Sequence, residues 1–132
     1  MTPRNSLAIA KLLQSVGRPY VRYVNDRYHR SGTLWRGRYK ASLVDCERYV
    51  LTCHRSIELN PVRAGRVSGP ANYRWSSYRR NAQGGADGVV TEHTQYTALG
   101  GLLAARCEAY RELFRVDLDA EVLGEIRDSL NQ

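Results

Sequence analysis

The sequence predicts a mainly α-helical chain with one or two short strands, and three observations carry that expectation. Apolar residues recur at three- and four-residue spacing over several long stretches, as on one face of a helix. One stretch, 34–44, loses that period and alternates instead. The chain has 132 residues, 42% of them hydrophobic and 25% charged, which is enough apolar material for a compact core. No run approaches the roughly 18 apolar residues of a membrane span. The start, Met1-Thr2-Pro3-Arg4, lacks the basic-then-apolar layout of a signal peptide, so the expectation is a soluble, cytoplasmic protein.

Taken in order, Ile9, Leu12, Leu13, Val16, Tyr20, Tyr23 and Val24 predict an amphipathic first helix. Asn5 or Ser6 caps its start, and Ser31-Gly32 ends it after His29-Arg30. Pro19 predicts a kink, or two helices meeting there. Over 34–44, Tyr39, Ala41 and Leu43 alternate with Arg38, Lys40 and Ser42, which predicts a short strand with one basic, solvated face. Asp45 is a good N-cap for a second helix carrying Tyr49, Val50, Cys53 and Ile57 on one side. That helix runs into Asn60-Pro61 and breaks at Gly65. Ser76 or Ser77 caps one short turn within 73–80, where Trp75 and Tyr78 read as core residues. Gln83-Gly84-Gly85-Ala86-Asp87-Gly88 reads as flexible. Helices follow over 102–115 and 120–130, the last capped by Asp119 with Val122, Leu123, Ile126 and Leu130 inward. A lone strand makes no stable sheet, so the pattern asks for strands the chain does not supply.

Charge divides the chain more sharply than hydropathy does. Twenty basic residues against 13 acidic give +7, and 18 of the twenty are Arg, whose planar fork suits phosphate. Residues 1–80 hold 16 basic and 4 acidic residues, +12; residues 81–132 hold 4 and 9, −5. The expected organisation is therefore a basic part over 1–80, a flexible linker over 81–92, and an acidic helical region over 93–132. A polyanion partner is expected for the basic part.

Seven basic residues cluster in a short span against one acid, Asp26: Arg18, Arg22, Arg27, Arg30, Arg36, Arg38 and Lys40. Tyr20, Tyr23, Tyr28, Trp35 and Tyr39 are interleaved with them. Basic groups neutralise phosphates and aromatic faces stack unpaired bases. The seven cations together with Trp35 are thus the candidate DNA-binding residues, whereas Tyr20, Tyr23 and Val24 read as the helix's core face. Arg63 and Arg66 either contact phosphate or neutralise a helix C-terminus. His29, His54 and His93 are scattered, with no His-x-His and no His-Glu-x-x-His, so no metal site is expected. His54 reads as a packed or capping residue, and His93 as the opening of the last helical region. Three cysteines make no disulfide framework, and Cys46 and Cys53, seven residues apart on one helix, would be roughly 10 Å apart. Phosphate loops and Gly-x-Ser-x-Gly are absent, which leaves tyrosine as the one abundant candidate nucleophile.

Three motifs then resemble those of one family. They are Arg30-Ser31-Gly32-Thr33-Leu34-Trp35-Arg36-Gly37-Arg38-Tyr39-Lys40-Ala41-Ser42-Leu43-Val44, Ile57-Glu58-Leu59-Asn60-Pro61-Val62-Arg63-Ala64-Gly65 and Tyr73-Arg74-Trp75-Ser76-Ser77-Tyr78. In this order and spacing they resemble the REP-associated tyrosine transposases of the HUH class. The resemblance implies cleavage and rejoining of single-stranded DNA at hairpin-forming repeats by a ferredoxin-like α+β fold. It also implies a His-x-His pair that holds Mg or Mn, and a tyrosine that links covalently to DNA.

Carried onto this chain, the nucleophile position is Tyr39, with a buried aromatic as its alternative reading and Tyr49 as the runner-up. The chain departs from the family in having no His-x-His pair, a Pro at 19 and a Ser at 56. The expectation is the C-terminal part of such a fold plus C-terminal helices, truncated and inactive alone, with no cofactor of its own. The implied partners are single-stranded or hairpin DNA, a separate chain carrying the missing N-terminal half, or further copies of this chain. A non-catalytic single-stranded nucleic-acid-binding module is the alternative.

Overall fold

The computed structural model describes residues 2–44 and 47–131. Among the described residues six α-helices follow in chain order: α1 (Ala8–Tyr28), α2 (Glu47–Arg63), α3 (Tyr78–Gln83), α4 (Thr94–Thr97), α5 (Leu103–Glu112) and α6 (Ala120–Asn131). A 3-10 turn, Pro70–Asn72, precedes α3. The chain is mainly helical, as expected, and no helix among the described residues is long and apolar enough to cross a membrane. It divides into two compact units, Met1–Tyr39 and Lys40–Gln132.

The expected strand does not form. No strand occurs among the described residues, and 33–44 is irregular. Gly37, in the middle of that stretch, sits at φ 76, a left-handed conformation that breaks extended alternation. With no neighbouring strand to pair with, the alternating pattern has nothing to bind its backbone.

The first unit is α1 and the loop that follows it. Pro19 was expected to kink α1 or to mark two helices meeting; α1 is one helix through Pro19. Its start has no side-chain cap at Leu7, but Asn5 Oδ1 accepts from the Leu7 N–H at 3.1 Å, so Asn5 takes up one orphan donor. The end comes two residues early: α1 stops at Tyr28, and His29 caps it at φ 50. No residue of α1 is buried. Tyr20 and Tyr23 are 51% and 62% exposed, so the core reading of these tyrosines fails: their unit has no second layer beneath the helix.

The second unit owns the core. Tyr78, Ala82, Tyr96 and Tyr110 are buried together, with Leu51, Leu99, Leu113 and Phe114 against them. The rings meet edge to face, Tyr78 on Phe114 at 4.9 Å and Tyr96 on Tyr110 at 5.5 Å, the arrangement that ring quadrupoles favour. α3 packs on α5, and α2 packs on α4 and on the 3-10 turn. α2 passes through Pro61 and ends before Gly65 at φ 66, as expected. Its inward face differs from expectation: Ile57 is 67% exposed, whereas Ser56 and Glu58 are buried.

Glu58 explains that inversion. It is fully buried, and both carboxylate oxygens are satisfied. Ser77 Oγ and Asn81 Nδ2 donate to Oε1 at 2.6 and 3.1 Å, and Tyr110 OH donates to Oε2 at 2.9 Å. Tyr96 OH in turn donates to the Asn81 backbone carbonyl at 2.9 Å. Burial, with Cys107 alongside, pushes the Tyr96 phenol up to about 12. A buried carboxylate costs several kcal/mol when unpartnered, so three donors are what make this core feasible.

Further expectations resolve locally. Tyr78 is a core residue but Trp75 is 73% exposed, with the Arg74 guanidinium 4.3 Å above its ring. Ser77 flanks α3 without capping it, and Ser76 Oγ accepts from the Tyr78 N–H at 3.3 Å. Within the linker expected over 81–92, residues 81–83 belong to α3, and Asn81 and Ala82 are buried. Glu92, at its far end, joins Arg80 and Arg106 at 2.8 Å each. His93 caps α4, its Nδ1 accepting from the Gln95 N–H at 3.1 Å. His54 is half-buried, and burial together with nearby His93 lowers its pKa. Asp45, Cys46 and the Leu130 side chain lie outside the described residues.

Candidate nucleic-acid interface

The first unit carries the whole net charge of the chain. Residues 1–39 hold eight basic residues against Asp26, +7, and residues 40–132 hold twelve of each sign. Arg18 and Arg22 stand four residues apart and therefore on one side of α1. The loop after the helix folds back along that side. Asn25 Nδ2 donates to the Gly32 carbonyl at 2.9 Å, and Thr33 Oγ1 accepts from the Trp35 N–H at 3.1 Å. Gly32 at φ 89 and Gly37 at φ 76 supply the two turns that an alternating strand would not allow.

Helix and loop enclose an open groove of about 1260 Å³. Apolar Leu13, Val16, Val21 and Leu34 line it together with Arg18, Arg22, Arg36 and Arg38. All four arginines are exposed, and no carboxylate among the described residues lies within ion-pair distance of them. Trp35 and Tyr39 line the same groove, 56% and 51% exposed. Trp35 stacks on Tyr20, ring centroids 6.4 Å apart and planes 26° from parallel. A concave surface with unpaired guanidinium groups around exposed ring faces can hold a chain of phosphates that carries planar groups.

Of the residues the sequence singled out, the groove gathers Arg18, Arg22, Trp35, Arg36, Arg38 and Tyr39. Arg27 and Arg30 are exposed but do not line it, and the Arg27 guanidinium lies 5.8 Å from the Tyr28 ring centre. Lys40 begins the second unit. The runner-up tyrosine, Tyr49, lines a small cleft in the second unit with Asp117, Asp119 and Glu125. Burial, Cys53 and Glu125 all raise its pKa, so those surroundings oppose both a phenolate and a phosphate. Arg63 is occupied: it donates to the Ser56 carbonyl at 2.6 Å.

The donors around Tyr39 do not fit a divalent cation. The groove offers one carboxylate, Asp26, among four arginines and no imidazole. No group of three His, Cys, Asp or Glu suited to a metal occurs among the described residues. Sequence reasoning also missed Glu58, because a lone acid in a helix carries no signal of burial. Comparison with family models, curated proteins and solved structures gives no match to the chain.

Proposed function

We propose that this chain binds single-stranded DNA along the groove of its first unit, in the manner of the REP-associated tyrosine transposases its motifs resemble. The observation that carries this reading is the concentration of the entire +7 in residues 1–39, with Arg18, Arg22, Arg36 and Arg38 unpaired around one groove. Phosphates laid against those arginines would release their counterions, which drives binding without any enzyme step. Tyr39, the nucleophile candidate that the motif resemblance implies, lines the groove, exposed and next to Arg38 in sequence. With no His-x-His pair in the sequence, these residues act in holding DNA, and strand cleavage is not assigned to them alone. The role is that of a transposase-related DNA-binding protein in DNA transposition.

The test is titration of a single-stranded and a duplex oligonucleotide of equal length at several salt concentrations. The expected outcome is tighter binding of the single strand, weakening steeply with salt and sharply reduced in Arg36→Ala/Arg38→Ala. Equal, salt-independent binding would refute the reading.

A further inference from the structure

We infer that Trp35 and Tyr20 form a stacking platform for one unpaired base of the bound strand, and that this subsite accepts any base. The inference rests on the DNA-binding reading above and adds which residues meet a base and with what selectivity.

The two rings lie nearly parallel at 6.4 Å, towards the wide end of the range for stacked aromatics. Both are more than half exposed, so each keeps free ring surface. Trp35 is fixed from three sides. Its backbone N–H donates to Thr33 Oγ1, its ring meets Tyr20, and its indole edge lies against α1 at Gly17. A Cβ at residue 17 would come 3.6 Å from Trp35 Nε1, an ordinary van der Waals distance, so the indole edge packs on the helix at this point.

Selectivity follows from what the two rings offer. The indole N–H is the only hydrogen-bonding group of a Trp side chain, and Nε1 lies beside α1 at Gly17. The ring faces carry no hydrogen-bonding group and read no base edge, and stacking alone tolerates every base. Duplex DNA cannot use the platform, because its base faces are already covered by neighbouring pairs. Arg18 on the helix and Arg36 on the loop flank the rings in sequence and would hold the phosphates on either side.

The experiment uses the full chain with Trp75→Phe, which leaves Trp35 as its one indole, and short dT, dA and dC oligonucleotides. Binding is read by Trp35 fluorescence and by anisotropy of the labelled strand. The expected result is quenching of Trp35 on binding, similar affinity for the three strands, and a loss of roughly 5- to 150-fold in Trp35→Ala. Trp35→Phe, which keeps a ring in place, should recover most of that loss, which an unfolding effect would not. An oligonucleotide of abasic sugar-phosphate should bind wild type and Trp35→Ala alike.

If Trp35→Ala binds as wild type while Arg36→Ala/Arg38→Ala binds weakly, the platform is wrong and the DNA-binding reading stands. A strong preference for one base that vanishes in Trp35→Ala would overturn the claim of tolerance. Failure of every strand to bind removes both the reading and the platform.

Discussion

Ser77 Oγ donates a 2.6 Å hydrogen bond to Glu58 Oε1 across nineteen residues, tying the segment before α3 to the middle of α2. Asn81 and Tyr110 complete the same carboxylate from α3 and α5. One acid therefore joins three helices at the centre of the second unit, and its removal strands three donors at once.

Glu58→Ala should be among the most destabilising substitutions in the chain. It leaves a cavity and unsatisfied polar groups of Ser77, Asn81 and Tyr110, together costing about 3 kcal/mol or more. Glu58→Gln keeps the volume but faces donors with an amide that also donates, and should cost about half as much. Urea unfolding of the three proteins checks the order, and an Ala variant as stable as wild type would contradict the network.

The same carboxyl predicts a pH dependence. Burial raises the pKa of Glu58, against the opposing pull of its hydrogen bonds from Ser77, Tyr110 and Asn81. The folded chain then holds this proton more tightly than the unfolded chain, where a Glu titrates near 4.3. Its contribution to stability is greatest below about pH 4.3, declines as pH rises to the folded value, and is level above it. Urea midpoints of wild type relative to Glu58→Gln should fall across that window. A rise would mean that the three donors outweigh burial.

The helices were legible in the sequence because their signals are local. The apolar period of α1, the Gly65 stop of α2 and the Asp119 start of α6 each depend on residues within a turn or two. What was not legible depends on partners far away in the chain. The alternation over 34–44 looks like a strand until one asks what it would pair with, and Gly37 looks innocuous until its φ is seen. Glu58 looks like a solvated face residue until Tyr110, 52 positions on, reaches it. The groove was half visible: the cations and aromatics were countable, but only the folding back of the loop separates Arg36 and Arg38 from Arg27 and Arg30.

The first unit should be the less protected part of the chain. None of the residues of α1 is buried, and Leu12, Leu13 and Val16 are 45%, 41% and 62% exposed. Each would contribute about 1.5–3 kcal/mol if fully buried, and that stabilisation is not realised. Hydrogen exchange should therefore be fast in α1 and slow in α3 and α5. An apolar dye should bind, with less uptake in Leu13→Gln/Val16→Gln. Uniformly slow exchange with no dye uptake would show that α1 is covered.

Salt dependence gives the groove a number. If Arg18, Arg22, Arg36 and Arg38 each neutralise one phosphate of a single strand, the logarithm of affinity should fall with the logarithm of salt with a slope of about −3. Arg36→Ala/Arg38→Ala should bring the slope to about −1.4, since each lost contact removes roughly 0.7. Arg27→Ala, outside the groove, should shift affinity little. An Arg27 effect as large as that of Arg36 would mean that charge, not the groove, holds the strand.

The last prediction concerns Tyr39. Its exposed phenol is open to a bound phosphate, and the arginines around it would stabilise negative charge there. Attack on a phosphodiester still needs a base to take the phenolic proton and a group to offset the leaving oxygen. Around Tyr39 the groove supplies Asp26 and no imidazole, and the sequence contains no His-x-His pair. A hairpin oligonucleotide incubated with the chain and Mg or Mn should therefore bind yet give no covalent adduct on a denaturing gel. Tyr39→Phe should bind within about twofold of wild type, since a hydroxyl contributes little where the ring and its arginines remain. An adduct that forms with wild type and disappears in Tyr39→Phe would instead make Asp26 the candidate base, and Asp26→Asn should then abolish the adduct while leaving binding intact.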